Sequence, residues 1–241
     1  MGLSLCIVIY IRFSIDRGSM ACFDAKEAAF LTSRALLDIG AINFNIREPY
    51  RLTSGMRSPV YIDCRRLISY PRIRCALMDF AVSMLDYQVG FESFDAIAGG
   101  ETAGIPFAAF IAERMGLPMV YVRKKAKGFG RNVQIEGDIG AGKRVLLVED
   151  LATNGASKLG FVKTLREAGA DVSHSFVVFS YGIFPKSLEH LERLGVRLWS
   201  LACWNDVLPL CVEQGYFDQE TLESVRVFLQ DPEAWDQNWG R

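Results

Sequence analysis

The sequence has few residues of the kinds that bind transition metals. It contains two histidines and six cysteines, and no cysteine forms a Cys-x-x-Cys pair or lies beside a histidine. A zinc site is therefore not expected. Isolated cysteines in a chain of this size are typical of a reducing compartment, where they pack as small apolar side chains, so we expect a cytoplasmic location.

The sequence also lacks a basic excess and a long apolar segment. Its formal net charge is −1, whereas proteins that bind nucleic acids usually carry positive charge, so no such partner is expected. The apolar stretch 3–11 is too short to cross a membrane, and it lacks the basic start and the cleavage site of a signal peptide. We interpret residues 1–19 as a non-native or mis-assigned extension, with Met20 as the start.

The remaining composition indicates one large folded domain with a small accessory part. Half of the 241 residues are hydrophobic and 23% are charged, which is typical of globular proteins. Helical spacing of apolar residues predicts helices over 24–39 and 72–89. Between them, 41–63 contains Pro49, Gly55 and Pro59 among short apolar runs, which favours strands and turns.

Apolar runs alternate with helical segments in the second half of the chain. The runs predict buried strands at 95–98, 119–122, 145–148, 176–179 and 198–202. Helices are predicted at 103–115, 157–168, 185–194 and 219–229. This alternation is typical of a parallel sheet covered on both faces. We therefore predict an α/β fold with a mainly parallel, twisted sheet, flanking helices and a small N-terminal layer of about residues 20–70, which we call the hood.

The segment 144–157 combines a strand, two acids and a turn that opens a helix. The acids are Glu149 and Asp150, and the turn and first helical residues are Thr153, Asn154, Gly155, Ala156 and Ser157. Ligands of open α/β sheets bind beyond the carboxyl ends of the strands, and N–H groups at a helix start favour an anion. The segment therefore predicts a phosphate on the turn and sugar hydroxyls or a metal-bound sugar on the acids, which can only accept hydrogen bonds when ionised. The alternative is a plain strand–turn–helix.

A second loop follows the predicted strand 95–98. It contains Gly100, Glu101, Thr102 and Ala103 and opens the predicted helix 103–115. Glycine lets the backbone approach a ligand closely. Both loops follow the carboxyl ends of strands, so we expect them at one edge of one sheet. The alternative is a glycine-rich turn in which the glycines only allow a tight backbone turn and bind no ligand.

The segment 137–144 nearly matches the P-loop pattern Gly-x4-Gly-Lys-Ser/Thr. Arg144 stands where the pattern needs a hydroxyl for Mg²⁺. The segment also precedes a predicted strand, whereas a P-loop follows a strand and opens a helix. We interpret it as a turn that leads into the strand 145–148.

Two further segments carry polar patterns. The stretch 123–131 has five basic residues around Gly128 and Gly130. Its basic residues are Arg123, Lys124, Lys125, Lys127 and Arg131. This composition predicts a mobile loop that folds over an anionic ligand. The alternative is a charged surface that only contacts solvent. The stretch 52–65 contains the pattern Ser-Gly-x-x-Ser-Pro-x-Tyr, for which a generic hairpin is the alternative.

Together the four segments resemble the type I phosphoribosyltransferases, and 52–65 and 123–131 resemble their orotate phosphoribosyltransferases. The resemblance implies a phosphoribosyltransferase domain over 20–203, followed by a helical tail over 204–241 that we could not match. It also implies that the substrates are orotate and phosphoribosyl pyrophosphate (PRPP). It further implies Mg²⁺ held by PRPP rather than by protein side chains, and a homodimer in which loop 123–131 crosses the interface.

The resemblance also implies roles for particular residues. PRPP would bind to Glu149, Asp150 and the loop Thr153, Asn154, Gly155, Ala156 and Ser157, and its pyrophosphate to Gly100, Glu101, Thr102 and Ala103. Orotate would bind to Ser54, Gly55 and Thr153. The catalytic residues would be Lys127, Lys124 and Arg123.

The chain departs from the family pattern at several positions. Glu149 replaces a more common Asp, Ala156 lacks a common hydroxyl, and Phe129 stands where many members have His. Ala103 replaces a common Lys, and Ser180-Tyr181-Gly182 lacks the Arg that holds the orotate carboxylate. Because of these last two changes, we predict that the orotate carboxylate is bound in a different way, by Arg57, by Arg65 or by the backbone.

Two other functions remain open from the sequence. One is a phosphoribosyltransferase that acts on a purine. The other is a regulator on the same fold that binds PRPP or a nucleotide without chemistry, since a fold does not fix a function.

Overall fold

The computed structural model describes residues 23–52, 54–126, 134–153 and 156–239. The interpretation of residues 1–19 and the roles of Lys127, Asn154 and Gly155 lie outside these residues, as do the side chains of Ala156 and Ser157.

The N-terminal part consists of two helices and four short strands. Asp24 caps the first helix by accepting hydrogen bonds from the amides of Lys26 and Glu27. The elements are α1 (Ala25–Asp38), β1 (Ile42–Phe44), β2 (Tyr50–Arg51), β3 (Arg57–Ser58), β4 (Val60–Ile62), a 3₁₀ helix (Cys64–Ser69) and α2 (Pro71–Gln88). Strands β1 and β4 pair antiparallel, and so do β2 and β3. The part of the hood over 41–63 is thus built of strands and turns, as the proline and glycine pattern predicted.

A six-stranded sheet forms the centre of the described chain. Its strands are β5 (Ala96–Gly100), β6 (Met119–Val122), β7 (Ile135–Glu136), β8 (Arg144–Ala152), β9 (Asp171–Ser180) and β10 (Arg197–Cys203). Their order is β10-β9-β8-β5-β6-β7, and every pair is parallel except β6 with β7. The five predicted strands and the mainly parallel sheet are confirmed. The short strand β7 was not predicted.

Helices cover both faces of this sheet. They are α3 (Gly104–Met115), α4 (Ala156–Glu167), α5 (Pro185–Arg193), α6 (Trp204–Gln214), α7 (Gln219–Gln230) and α8 (Pro232–Asn238). In β8, Leu146 and Val148 pack into the core under α1, α2 and α3, whereas Val145 and Leu147 pack against α4 and α5. This alternation explains why β8 is apolar at every position from Val145 to Val148. None of the described helices is long and apolar enough to span a bilayer.

The tail packs into the same core as the hood and the sheet. Trp204, Val207, Phe228 and Trp235 are buried in one cluster with Leu36 of α1. Helix α7 was predicted from its apolar spacing, but α6 and α8 were not. Helix α6 does have a helical period, because its buried residues Trp204, Val207 and Cys211 lie three and four residues apart, so this signal was available in the sequence. Helix α8 is only seven residues long, which is too short to show a clear period.

The P-loop-like segment is a turn that leads into β8. Gly137 and Gly142 have positive φ angles of 102° and 75°, and β8 begins at Arg144. Because it enters a strand at its amino end, the segment cannot act as a P-loop, and the prediction of a turn is confirmed.

Candidate functional site

Three of the predicted segments meet at the carboxyl edge of the sheet. In the parallel register, Gly99 of β5 lies opposite Tyr121 of β6 and Val148 of β8. The residues that follow these positions therefore converge at one edge. This is the edge at which ligands bind in open α/β sheets.

Close packing explains the two glycines that flank the loop after β5, the last residue of β5 and the first residue of α3. A Cβ at Gly100 would overlap the carboxylate of Glu149, and one at Gly104 would overlap the carbonyl oxygen of Val148. Neither glycine has a positive φ angle, so glycine is needed at these positions because a side chain does not fit, and not because of the backbone conformation. The loop is therefore held directly against the acids. Its peptide bond between Glu101 and Thr102 is cis.

Glu101 links the loops after β5 and β6. Its carboxylate accepts a hydrogen bond of 2.7 Å from the backbone amide of Lys124, and its own amide donates to Val122 across 2.9 Å. The side chain of Arg123 instead contacts Glu136, with 3.2 Å between Nη1 and Oε1. Lys124 is thus anchored at the predicted site, whereas the Arg123 guanidinium lies at β7, and the catalytic role of both residues stays a prediction.

The acids Glu149 and Asp150 lie at the end of β8, where burial makes ionisation unfavourable. Only 8% of Glu149 is exposed, and its Oε1 has no hydrogen-bond partner among the described residues. Burial raises the pKa of Glu149 to about 7, and it also raises the pKa of Asp150. A buried acceptor without a donor is costly, so this site favours a ligand that donates hydrogen bonds or carries positive charge.

Lys158 is a buried cation beside these acids that the sequence analysis did not select. It is 4% exposed, and its Nζ donates a hydrogen bond of 2.7 Å to the carbonyl of Leu151. Its charge is the largest effect that lowers the pKa of both acids, and burial lowers the pKa of Lys158 itself. The sequence signal was available: Lys158 begins a helical stripe that continues through the buried side chains Phe161, Val162 and Leu165.

The predicted phosphate loop has the expected local structure at both ends. Strand β8 ends at Ala152, and α4 begins at Ala156. Thr153 is partly buried between them. The described part of this segment is therefore the predicted strand, turn and helix start, a geometry that suits an anion at the N-terminus of α4.

Ser54 and Gly55 form the exposed turn of the β2–β3 hairpin. The turn is closed by a hydrogen bond of 2.8 Å from the Gly55 amide to the Leu52 carbonyl, and Gly55 has a φ angle of 87°. No described hydrogen bond joins Ser54 or Gly55 to the acids, so their contact with orotate stays a prediction.

The two arginines considered for the orotate carboxylate lie in different surroundings. Arg65 donates to Asp63 and to the hydroxyl of Tyr61, and its charge lowers the pKa of Asp150. Arg57 instead forms an ion pair of 2.6 Å with Asp236 in α8. The charge of Arg65 therefore acts on Asp150, whereas Arg57 is engaged by the tail.

Tyr181 fills the region in which many family members carry an arginine. It is 2% exposed and packs edge to face against Phe179 and Trp204. Burial raises the pKa of its phenol well above the usual value. A buried aromatic ring thus occupies this position in place of a cation.

Comparisons with known proteins match this site and fold. A family model for the phosphoribosyl transferase domain matches residues 69–190. An orotate phosphoribosyltransferase from Roseobacter denitrificans is 58% identical over 214 residues, which are 89% of this chain and 95% of the relative. The crystal structure of orotate phosphoribosyltransferase from Aeropyrum pernix is 34% identical with a TM-score of 0.65, covering 77% of this chain and 99% of that one.

A longer protein is also similar. The structure of Leishmania donovani UMP synthase is 30% identical with a TM-score of 0.73, and the match covers 85% of this chain but 42% of that one. The match to the Roseobacter relative spans 214 residues, so it reaches at least residue 214. It therefore includes α6.

Proposed function

The chain belongs to the phosphoribosyltransferase family and, within it, to the orotate phosphoribosyltransferases, and from this premise we infer that it transfers the phosphoribosyl group of PRPP to orotate. The products are orotidine 5′-monophosphate and pyrophosphate, a step of pyrimidine biosynthesis. The observation that carries this function is the 58% identity over 214 residues to an orotate phosphoribosyltransferase. The convergence of three predicted segments at one sheet edge supports it.

The reaction exchanges one bond at the anomeric carbon of ribose. A nitrogen of orotate forms the new bond and loses its proton to water or to the departing pyrophosphate, and the bond to pyrophosphate breaks, with its electron pair leaving on the pyrophosphate oxygen. The transition state resembles an oxocarbenium ion, as at other glycosidic centres. Negative charge grows on the departing group, and we assign its stabilisation to Lys127, Lys124 and Arg123.

The two acids and the two loops hold PRPP in this proposal. Glu149 and Asp150 accept hydrogen bonds from the ribose hydroxyls, which supplies the donors that the buried Oε1 of Glu149 lacks. The 5′-phosphate binds to the loop 153–157 at the N-terminus of α4. The pyrophosphate binds to the loop 100–103, where Gly100 and Gly104 hold the backbone close to β8.

Mg²⁺ fits this site as an ion held by PRPP oxygens and water. The described residues contain no cluster of three or more His, Cys, Asp or Glu side chains that could hold a metal. The acid pair nevertheless gives the site the oxygen-rich, negative surroundings that Mg²⁺ prefers. When bound, the ion would supply positive charge to the departing pyrophosphate.

We further propose a cytoplasmic homodimer that has no nucleic-acid partner. In this arrangement loop 123–131 of one subunit contributes Lys127 to the site of the other. The anchoring of Lys124 to Glu101 supports a loop that starts at the edge of a site.

The experiment is a panel of free bases with PRPP and Mg²⁺. We expect consumption of orotate and release of pyrophosphate, with no turnover of adenine or hypoxanthine. Turnover of a purine but not of orotate would establish the purine alternative. Binding of PRPP without turnover of any base would establish the regulator.

A further inference from the structure

The hairpin that carries Ser54 and Gly55 is too small to be stable by itself. Its strands β2 and β3 have two residues each, and they form a separate two-stranded sheet rather than joining the central one. Isolated hairpins of this size are marginal in water. The position of the turn between them therefore depends on contacts from outside the hairpin.

Asp236 of α8 supplies such contacts to Arg57, the first residue of β3. Its Oδ1 accepts hydrogen bonds from the Arg57 Nε at 2.6 Å and from the Arg57 backbone amide at 3.2 Å. The Asp236 carbonyl accepts a third from Arg57 Nη2 at 2.7 Å. The two side chains are 31% and 27% exposed, so the pair is partly removed from water. Charge-assisted bonds of this kind are stronger and more directional than neutral ones.

Trp239 adds a second link between the tail and the hood. The Arg57 guanidinium lies over its ring, 5.0 Å from the centroid, and its indole N–H donates to the Ile46 carbonyl at 3.1 Å. The cation–π contact thus reaches Arg57, which follows β2 in the chain, and the hydrogen bond reaches Ile46, which precedes β2.

Helix α8 is itself fixed to the core. Trp235 is 8% exposed, its ring packs edge to face on Phe228, and its indole N–H donates to Ser224 at 3.1 Å. The chain of contacts therefore runs from the buried side of α7 through α8 to the hairpin.

We propose that Asp236 is a positioning residue for orotate, which holds the Ser54–Gly55 turn in its binding position through Arg57. The inference rests on the proposed function, because the resemblance assigns that turn to orotate. It gives the tail a role in the specificity of the base site. It also predicts that Arg57, which is engaged by Asp236, does not hold the orotate carboxylate itself.

The experiment compares Asp236→Asn with the wild-type protein in steady-state kinetics. We expect the KM for orotate to rise about fivefold or more, because the ionised acceptor of two hydrogen bonds is lost. The KM for PRPP and the kcat at saturating orotate should change less than twofold. Asp236→Glu, which keeps the charge, should recover part of the orotate KM.

A matched control is available at the opposite edge of the sheet. Asp95 accepts three hydrogen bonds from Arg144, at 2.9, 3.0 and 2.9 Å, and lies before the amino end of β5. Asp95→Asn removes an ion pair of similar geometry, so it should lower the melting temperature by about as much as Asp236→Asn does. It should leave the orotate KM unchanged.

Each outcome decides the proposal. If Asp236→Asn leaves the orotate KM unchanged or lowers it, Arg57 does not act through Asp236 and the inference is wrong. An equal rise in the KM values for orotate and PRPP would also overturn it. If that variant does not fold, Arg57→Lys, which keeps the charge but loses the Nε and Nη2 donors to Asp236, decides the question by the same KM comparison. A wild-type protein that does not convert orotate would instead overturn the proposed function.

Discussion

The backbone amide of Lys124 donates a hydrogen bond of 2.7 Å to the carboxylate of Glu101. The bond joins the residues that follow β6 to the residues that follow β5. It therefore fixes the start of the basic segment against the predicted pyrophosphate loop.

Glu101→Ala removes this connection. We expect kcat/KM for PRPP to fall about tenfold or more, since a loss of about 1.5–3 kcal/mol in the transition state corresponds to that range. The melting temperature should change little, because Lys124 and its bond are exposed. Glu101→Gln, which keeps an acceptor, should retain more activity. Glu113→Ala on the exposed side of α3 serves as the control, and an equal loss there would remove the special role of Glu101.

Gly100 and Gly160 form a matched pair for a test of close packing. A Cβ at Gly100 would overlap the Glu149 carboxylate, whereas one at Gly160 of α4 meets nothing within 4 Å. Gly100→Ala should therefore displace Glu149, raise the KM for PRPP about tenfold, and destabilise the protein by about 1–3 kcal/mol in urea denaturation.

Gly160→Ala should instead stabilise the protein by about 0.5–1 kcal/mol, because alanine favours a helix interior. Its KM for PRPP should match that of the wild-type protein. If the Gly100 variant binds PRPP normally, the overlap is relieved by movement elsewhere and the glycine is not required by the site.

The local sequence pattern predicted the strands and the loops, but not the contacts between distant residues. Apolar runs identify β5 and β8 because both faces of these strands are buried. Strand β7 has two residues, which is too few for any period. The partner of Arg57 lies 179 residues away, so no local pattern could reveal that it is engaged. Lys158 could have been found, since a lysine on a buried helical stripe needs a buried partner.

The raised pKa of Glu149 predicts a pH dependence of stability. Between its unfolded value and about pH 7, Glu149 is ionised in the unfolded chain but protonated in the folded one. The folded protein then binds more protons, so this group reduces the free energy of unfolding as pH rises to about 7, and no further above it. The full effect is about 3 kcal/mol.

Glu149→Gln removes this titration. In urea denaturation, the stability of the variant relative to the wild-type protein should therefore increase between pH 4.5 and pH 8. Lys158→Met should move the wild-type step to higher pH, because it removes the charge that most lowers the pKa of Glu149. A pH-independent difference between the Gln variant and the wild-type protein would contradict this account of Glu149.

Phe228 and Val227 test whether the tail is part of the core. The Phe228 side chain is fully buried in the cluster shared with α1 and the sheet, whereas Val227 beside it is 46% exposed. Phe228→Ala should cost about 3–5 kcal/mol. Val227→Ala should cost less than about 1 kcal/mol. The two variants should unfold in a single transition, and a separate early transition for Phe228→Ala would show that the tail unfolds independently.

Lys127 tests the proposed dimer. Arg123 is the first residue of the stretch 123–131, and its amide donates to the Gln134 carbonyl at 2.7 Å, so the chain leaves and re-enters the sheet at one place, next to the Lys124–Glu101 bond. A lysine that stabilises charge only in the transition state should lower kcat by about 10²-fold when it is removed in Lys127→Ala. Lys125→Ala removes the same charge two residues earlier, at a residue that has no proposed catalytic role, and should retain most activity.

Mixing subunits then identifies which site Lys127 serves. Asp150→Asn should also be nearly inactive, because a neutral amide is a poorer acceptor for ribose hydroxyls. If the loop crosses the interface, a mixed dimer of Lys127→Ala and Asp150→Asn subunits has one site with an intact Asp150 from one chain and an intact Lys127 from the other. Activity should therefore reappear after subunit exchange, in proportion to the heterodimer measured by native mass spectrometry. If the loop served its own subunit, each site of the mixed dimer would keep one defect, and the mixture would stay as inactive as its parents although heterodimers form.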